Sequence, residues 1–296
     1  MQLLRTPDDA FANITDFPYE PRYATLTSET ATDGPRMAYV EAGPSDGQTI
    51  VLMHGEPTWS YLYRSIIPVL ADAGLRVIAP DLIGFGRSGK GGHLDYSVAG
   101  LAEFVERFAG HVGVEELEIV GHDWGAVVAL AFADRHPGRV RRLVLLNPPP
   151  PPSVSTEWPR IIRLWRSRGV GELAMGATTK GLLARTLRRG SVRPDAWPDA
   201  RVAEVWSQFD QGTQRAILRL VRSAGDDVIG GGGSRPGDGQ VAIVWGEQDP
   251  WYPPAVAGAY AIRLPGSTVE RVAGAGHWPW LDRPEVVDRV ASLLEG

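Results

Sequence analysis

Five residues, Gly121-His122-Asp123-Trp124-Gly125, constrain the fold of this chain more than any other feature of it. A short apolar run at 117–120 leads into them, and an Ala- and Val-rich stretch at 124–136 leads out. That order suits a strand that turns abruptly into a helix: small residues on each side permit the bend, and the middle side chain is pushed out of it. The side chain displayed in this way is Asp123, a carboxylate. An aspartate that merely caps the following helix would account for Asp123 and part of the glycine content, but the partners found downstream favour a displayed acid.

The rest of the chain gives that bend a setting. Short apolar runs at 36–41, 49–53, 76–79, 117–120, 140–146, 241–245 and 268–272 alternate with amphipathic stretches at 59–73, 98–112, 124–136 and 284–294. Apolar runs without strict alternation belong to strands covered on both faces, so the expected class is α/β, with one mostly parallel, doubly wound sheet. One segment breaks the rhythm. Five consecutive prolines fill 148–152, an Arg-, Trp- and Leu-rich stretch at helical spacing follows, and Gly230-Gly231-Gly232-Gly233-Ser234-Arg235-Pro236 closes it. A stiff entry and a flexible exit mark an insertion. The expected division is a core at 1–147 and 237–296 and a helical cap at 148–236, over the carboxyl ends of the strands, where open α/β sheets bind ligands.

A carboxylate at the bend selects the electrophile. With a reference pKa of about 3.9 it is ionised at neutral pH without help, so it displaces a leaving group from saturated carbon directly. Serine attacking such a carbon would yield an inert ether, whereas Asp123 yields an ester that water can cleave. The residues therefore point to alkyl halides or epoxides. Ester cleavage needs a base, and His277, in Gly274-Ala275-Gly276-His277-Trp278-Pro279 after the last apolar run, is the candidate. His54 and His122 sit inside turn motifs, His93 and His111 flank surface segments, and His136 ends a helix, so all five read as structural. Asp249, just past the run at 241–245, is the acid expected to orient the imidazole; the alternative acid position, after 146, holds Asn147. The loop His54-Gly55-Glu56-Pro57-Thr58-Trp59 is expected to give one oxyanion-hole N–H from Glu56, and Trp124 the other. The Glu56 carboxylate is also a candidate for positioning the attacking water, with a salt bridge to an arginine as the structural alternative.

Composition narrows the partners. Over 296 residues the formal net charge is −5, with Lys and Arg scattered rather than massed, so neither nucleic acid nor a membrane surface is expected. The chain has no cysteine, which removes disulfides, thiol nucleophiles and thiolate metal sites, and no cofactor or metal is called for. Residues 1–23 are broken by Pro7, Asp8, Asp9, Asp16 and Pro18 and lack a secretion signal's apolar stretch, and no run approaches the roughly eighteen apolar residues of a membrane span. A cytoplasmic protein is expected.

On these residues the chain resembles the haloalkane dehalogenases, which have the α/β-hydrolase fold. The likeness is carried by Arg5-Thr6-Pro7-Asp8, Phe11-Ala12-Asn13, Phe17-Pro18-Tyr19, the block from His54 to Arg64, Ala79-Pro80-Asp81-Leu82-Ile83-Gly84-Phe85-Gly86-Arg87-Ser88, the bend at Asp123, Asp249 and His277. Glu56 after His54-Gly55 matches the first dehalogenase subfamily, the other large one having asparagine there. The resemblance implies hydrolysis of carbon–halogen bonds to a primary alcohol, halide and proton through an alkyl ester of Asp123. It also implies a small apolar halogenated substrate, water as co-substrate, and a monomer or small homo-oligomer. Halide would be held by the Trp124 indole and a cap tryptophan, for which Trp165 is favoured over Trp158, Trp197 and Trp206. The rival is an epoxide hydrolase, which activates the epoxide oxygen with cap tyrosines. All eight tyrosines, at 19, 23, 39, 61, 63, 96, 252 and 260, lie outside the cap, so ring opening lacks its acid unless a core tyrosine supplies it. A haloacid dehalogenase would resemble this chain but carry arginine at 124, and a ligand-binding relative could share the fold without the activity.

Overall fold

A computed structural model describes residues 4–27, 34–151, 158–223 and 239–294. Among the described residues eight strands form one sheet: β1 (Arg22–Thr25), β2 (Arg36–Ala42), β3 (Thr49–Met53), β4 (Arg76–Pro80), β5 (Leu117–His122), β6 (Val140–Leu146), β7 (Gln240–Gly246) and β8 (Thr268–Val272). Their order across the sheet is β1-β2-β4-β3-β5-β6-β7-β8. β1 and β2 pair antiparallel with their neighbours, and the pairs from β4 to β8 are parallel. β5 is buried along its whole length and β3 along all but its first residue, as strands sandwiched between helical layers must be.

The helices follow the crossovers. α1 (Ile66–Asp72) follows β3, α2 (Val98–His111) follows β4, and α3 (Trp124–Arg135) follows β5. Between β6 and β7 the chain leaves the sheet for α4 (Arg160–Arg166), α5 (Val170–Gly176), α6 (Lys180–Arg189), α7 (Asp199–Trp206) and α8 (Gln211–Ser223). α9 (Ala255–Arg263) links β7 to β8, and α10 (Pro279–Asp282) and α11 (Glu285–Leu294) come last. The helices bury apolar faces in two clusters, one holding Phe104, Phe108 and Val127 and the other Ile66, Leu70 and Val290. α2 begins where Ser97 accepts a hydrogen bond from Gly100 N at 3.0 Å, satisfying one of the free N–H groups of its first turn.

Three strands, at 49–53, 140–146 and 268–272, coincide with the apolar runs. The helix expected over 59–73 is instead a 3-10 turn at Ser60–Tyr63 followed by α1. Pro68 explains the break: its ring has no N–H to give residue 64 and clashes with that carbonyl, so it is tolerated only in the first turn of a helix that starts afresh. The short edge strand β1, with only Ala24 buried, carries too little pattern to be read from sequence. The expected cap exit at 230–236 and the last entry proline, Pro152, lie outside the described residues.

Register brings the strand ends together. Met53 lies opposite Gly121, His122 opposite Leu146, and Leu146 opposite Val244. The loops after β3, β5, β6 and β7 thus leave one edge of the sheet side by side, beneath the helices of the insertion.

A buried polar knot joins those helices to the core. The Lys90 ammonium donates to Thr6 Oγ1 at 2.5 Å, Thr213 Oγ1 at 2.7 Å, the Gln208 carbonyl at 2.9 Å and Asp210 Oδ2 at 3.1 Å. The Gln208 side chain accepts from Gly86 N at 3.0 Å and donates to the Pro57 carbonyl at 2.7 Å, next to Glu56.

Candidate active site

Asp123 sits on the bend with φ 50° and ψ −125°, a left-handed conformation that costs a non-glycine residue about 1–3 kcal/mol. The bend is held from both sides: Asp123 N donates to the Leu146 carbonyl at 3.0 Å, and Ala126 N donates to the Asp123 carbonyl at 3.0 Å. Glycine is required where the backbones close in. A Cβ on Gly125 would stand 2.2 Å from the Met53 carbonyl oxygen, and one on Gly55 would stand 2.5 Å from the Asp123 side chain.

His277 follows β8, and its backbone N–H donates to the Gly190 carbonyl at the end of α6 at 2.7 Å, so the cap helps hold this loop. Its ring pairs through Nδ1 with Asp249 Oδ2 at 2.7 Å, and its Nε2 lies 3.8 Å from Asp123 Oδ1. A carboxylate at Nδ1 fixes the N–H there and leaves Nε2 as the acceptor, the state a general base needs. Burial pulls the imidazole pKa down, but the charge and hydrogen bond of Asp249, with Asp123 behind them, outweigh it and leave the pKa raised.

Asp249 is fully enclosed and held by four donors. Oδ2 accepts from His277 and from Asn147 Nδ2 at 2.9 Å; Oδ1 accepts from the backbone N–H of Trp251 at 2.8 Å and of Tyr252 at 3.1 Å. Asn147, which the sequence shows only as a non-acid at the end of β6, is therefore a support of the acid. Its own φ of 41° and the bond from Gly246 N to its Oδ1 at 2.9 Å aim it across the sheet edge.

A cavity of about 180 Å³ opens beside this group, lined by Glu56, Asp123, Tyr252 and His277 from the core and by apolar cap residues including Ile162, Leu183 and Phe209. Trp165 lines it as well. At about 30 Å³ per water the space holds roughly six waters, or a small alkyl substrate. Burial pushes the Asp123 carboxyl up to about 6; the His277 charge and a hydrogen bond from the Trp124 backbone N–H oppose it, Asp249 adds to it, and a side-chain hydrogen bond from Tyr252 opposes it again. Glu56 is raised well above the carboxylate range, by burial first and by Asp123 second, and its Oε2 is buried without a hydrogen-bond partner. Among the described residues no arginine pairs with it, so the salt-bridge alternative fails. Among the described residues Glu56 Oε2 has no donor, whereas the Trp124 N–H and the His277 charge hold Asp123 down, so of the two neighbouring carboxyls Glu56 is the one raised well above the carboxylate range.

The tryptophans separate in space. The Trp124 indole is buried with no partner for its N–H, and its ring stacks on Trp158 at 6.0 Å. Trp197 meets Trp278 edge-on at 5.0 Å and Trp206 stacks on Phe209 at 5.5 Å. Of the five other histidines only His122 touches His277, its ring meeting that imidazole edge-on at 4.7 Å. His54 accepts from Leu82 N at 2.9 Å, His122 donates to the His277 carbonyl at 2.9 Å, His136 pairs with Glu106, and His93 and His111 are exposed. Tyr252 carries no mark of its own in the sequence: it counts only as a tyrosine outside the cap, yet it lines the cavity together with Asp123, and its ring meets that of His277 at 5.6 Å. Its closeness to Asp249 in sequence is the signal that points to it.

The family described as alpha/beta hydrolase fold matches residues 48–284. A Mycolicibacterium paratuberculosis protein named haloalkane dehalogenase is 47% identical over 148 residues, 50% of this chain and 49% of the relative. A Mycobacterium marinum protein of the same name is 42% identical over 170 residues, 56% of each chain. The chain thus spans about half the length of the curated relatives it matches. Among solved structures, the haloalkane dehalogenase DpaA from Paraglaciecola agarilytica NO2, a tetramer, superposes with a TM-score of 0.80 over 98% of this chain and 97% of its own. At 24% identity that likeness concerns the fold.

Proposed function

The chain belongs to the alpha/beta hydrolase fold family, and from that premise we propose that it is a haloalkane dehalogenase acting through a covalent ester on Asp123. The observation that carries the reading is an ionisable carboxylate on the strained bend, beside a carboxylate-held imidazole, at the floor of a small apolar cavity. The names of the two mycobacterial relatives support it.

In the first step an Asp123 oxygen attacks the carbon bearing the halogen; the C–O bond forms as the C–X bond breaks, and the halide departs with the bonding pair. Indole N–H groups suit the departing anion because they donate and carry no acceptor to repel it. We assign the first to Trp124, whose buried N–H has no partner among the described residues, and the second to Trp165, in the cavity wall. In the second step His277 Nε2 takes a proton from water, whose oxygen adds to the ester carbonyl. The backbone N–H groups of Trp124 and Glu56 receive the oxyanion, Asp249 balances the imidazolium, and collapse releases the alcohol and restores the Asp123 carboxylate. Glu56, carrying its proton, orients that water. Substrate and water become alcohol, halide and a proton, and no metal or cofactor takes part in these steps.

Tyr252 reopens the epoxide reading, since a core tyrosine does stand in the site. Its position argues for halides. In a backside displacement the leaving oxygen departs away from Asp123, whereas Tyr252 stands on the Asp123 side of the cavity, where it restrains that carboxyl, and so is poorly placed to protonate the oxygen. We place the protein in the cytoplasm, which its lack of cysteine suits, as a monomer or small homo-oligomer. Among the described residues no helix is long and apolar enough to cross a membrane. The test is halide release from 1-bromobutane and 1,2-dibromoethane, with loss of release in Asp123→Ala; no release from any bromoalkane sinks the proposal.

A further inference from the structure

The insertion carries a charge that the whole-chain total conceals. Between 158 and 223 there are thirteen basic and five acidic side chains, a net of +8, which leaves −13 for the rest of a chain whose total is −5. Most of those acids are already engaged: Glu172 with Arg222, Asp195 with Arg193, Asp199 with Arg188, and Asp210 with Lys90. Arg160, Arg168, Lys180, Arg185 and Arg189 remain exposed. The scattered basic residues of the linear sequence become a strongly positive layer once the chain folds.

The same layer exposes apolar side chains. Leu173 is 77% exposed, Val170 53%, Leu182 47% and Leu164 36%. Leu164 and Leu182 also line the catalytic cavity, so this surface surrounds its mouth. Helical spacing puts apolar and basic groups on shared faces: Arg160 with Leu164 on α4, Val170 with Leu173 on α5, and Leu182 with Arg185 and Arg189 on α6.

We infer that the cap docks on an anionic lipid surface with the cavity mouth facing the bilayer. Arginine and lysine would meet the headgroups while Leu173, Val170 and their neighbours enter the headgroup–acyl boundary, a division that a lipid surface alone rewards on both counts. A second copy meeting this face through its own would set the exposed Arg160, Arg168, Lys180, Arg185 and Arg189 against like charges. A nucleic acid would engage the arginines and leave the leucines in water. Docking is peripheral, since no described helix is fit to span a membrane. It would give an apolar substrate dissolved in lipid a direct path to Asp123. The inference rests on the cap surface and not on which electrophile Asp123 attacks, so vesicle binding and halide release can fail independently.

The test is flotation of the full chain with phosphatidylcholine vesicles with and without half phosphatidylglycerol. Binding is expected to the anionic vesicles at about 0.05 M salt and to be lost at about 0.5 M, where screening is stronger. A basic residue at such a surface is worth about fivefold, so Arg185→Glu with Arg189→Glu should weaken binding about 25-fold or more. Leu173→Glu should weaken it about tenfold through lost apolar contact and added repulsion. None of the three side chains lines the cavity, so thermal unfolding and halide release serve as checks that the variants remain folded. No binding of the parent chain at low salt overturns the inference, as does parent-like binding by both variants. Full binding by Leu173→Lys reduces the surface to charge alone and also overturns it. So does a concentration-dependent dimer abolished by Leu173→Glu, or duplex DNA bound as tightly as the anionic vesicles.

Discussion

Replacing Tyr252 with Phe removes one hydroxyl from the nucleophile and nothing from the fold's packing, which makes it a sharp test of how Asp123 is kept ionised. The carboxyl is already pushed up to about 6 by burial, and the Tyr252 phenol is one of the groups restraining it. Burial first, then the charge of Asp123, raises the phenol far above its ordinary range, so it remains a donor throughout the working pH span. A hydrogen bond to a charged group contributes about 1.5–3 kcal/mol, and one pKa unit corresponds to about 1.4 kcal/mol. Because Tyr252 is the smallest of the influences on this carboxyl, the lower end of that range sets the limit, an Asp123 pKa no higher than about 7 in Tyr252→Phe, and the shares that follow are at that limit. The nucleophile is the deprotonated form, so activity falls as pH drops through this pKa, and a higher pKa moves the acid limb upward. The ionised share drops from about 0.9 to about 0.5 at pH 7 and from about 0.5 to about 0.1 at pH 6, and is nearly unchanged at pH 9. Steady-state rates would mix this with His277, which must also be neutral. The stopped-flow burst of bromide from 1,2-dibromoethane isolates the first step, where His277 takes no proton. An acid limb that stays in place, moves down, or gives way to an equal loss at every pH refutes the bond between Tyr252 and Asp123.

Asn147→Ala strips one donor from Asp249 and should slow ester hydrolysis about tenfold while the bromide burst keeps its rate, since a lost hydrogen bond of about 1.4 kcal/mol falls on the second step alone; an equal loss in the burst would assign Asn147 to general packing. Lys90→Met withdraws a buried ammonium from four acceptors and should cost about 3–5 kcal/mol in urea unfolding. A change under about 1 kcal/mol would show that the knot does not clamp cap to core. Trp165→Phe should weaken bromide quenching of tryptophan fluorescence more than Trp158→Phe does, and the reverse order would transfer the halide donor to the tryptophan stacked on Trp124.

The strand-to-helix bend and the sheet were legible because both are local. Gly121 and Gly125 flank Asp123 in sequence, and the apolar runs of β3, β6 and β8 mark their own ends. The relation of His277 to Asp249 was legible as well, because each follows a strand whose place in the sheet could be read, and the structure brings them to 2.7 Å. What stayed hidden depends on long-range closure. Asn147 reaches Asp249 across the edge between β6 and β7, a separation of 102 residues, and in sequence it only marks where an acid is lacking. The charge of the cap was hidden for a different reason: a total of −5 averages over two surfaces of opposite sign, and only the division of the chain separates them.

Tyr252 shows why residue type alone could not assign the roles of the three acids. Asp123, Glu56 and Asp249 are equivalent as carboxyl groups, and their functions differ by how many donors the fold supplies. Asp249 has four, from His277, Asn147 and the backbone of Trp251 and Tyr252, and in the proposed mechanism it is the acid opposite His277. Asp123 has the Trp124 N–H and the Tyr252 phenol, enough to keep it anionic at neutral pH and few enough to leave lone pairs for attack on carbon. Glu56 has a buried oxygen with no donor among the described residues, and burial, with Asp123 second, raises it well above the carboxylate range. Exchange the donors and the same three side chains would exchange chemistry: donors on Glu56 would draw charge away from Asp123, and the proposed nucleophile would be lost without any change at position 123.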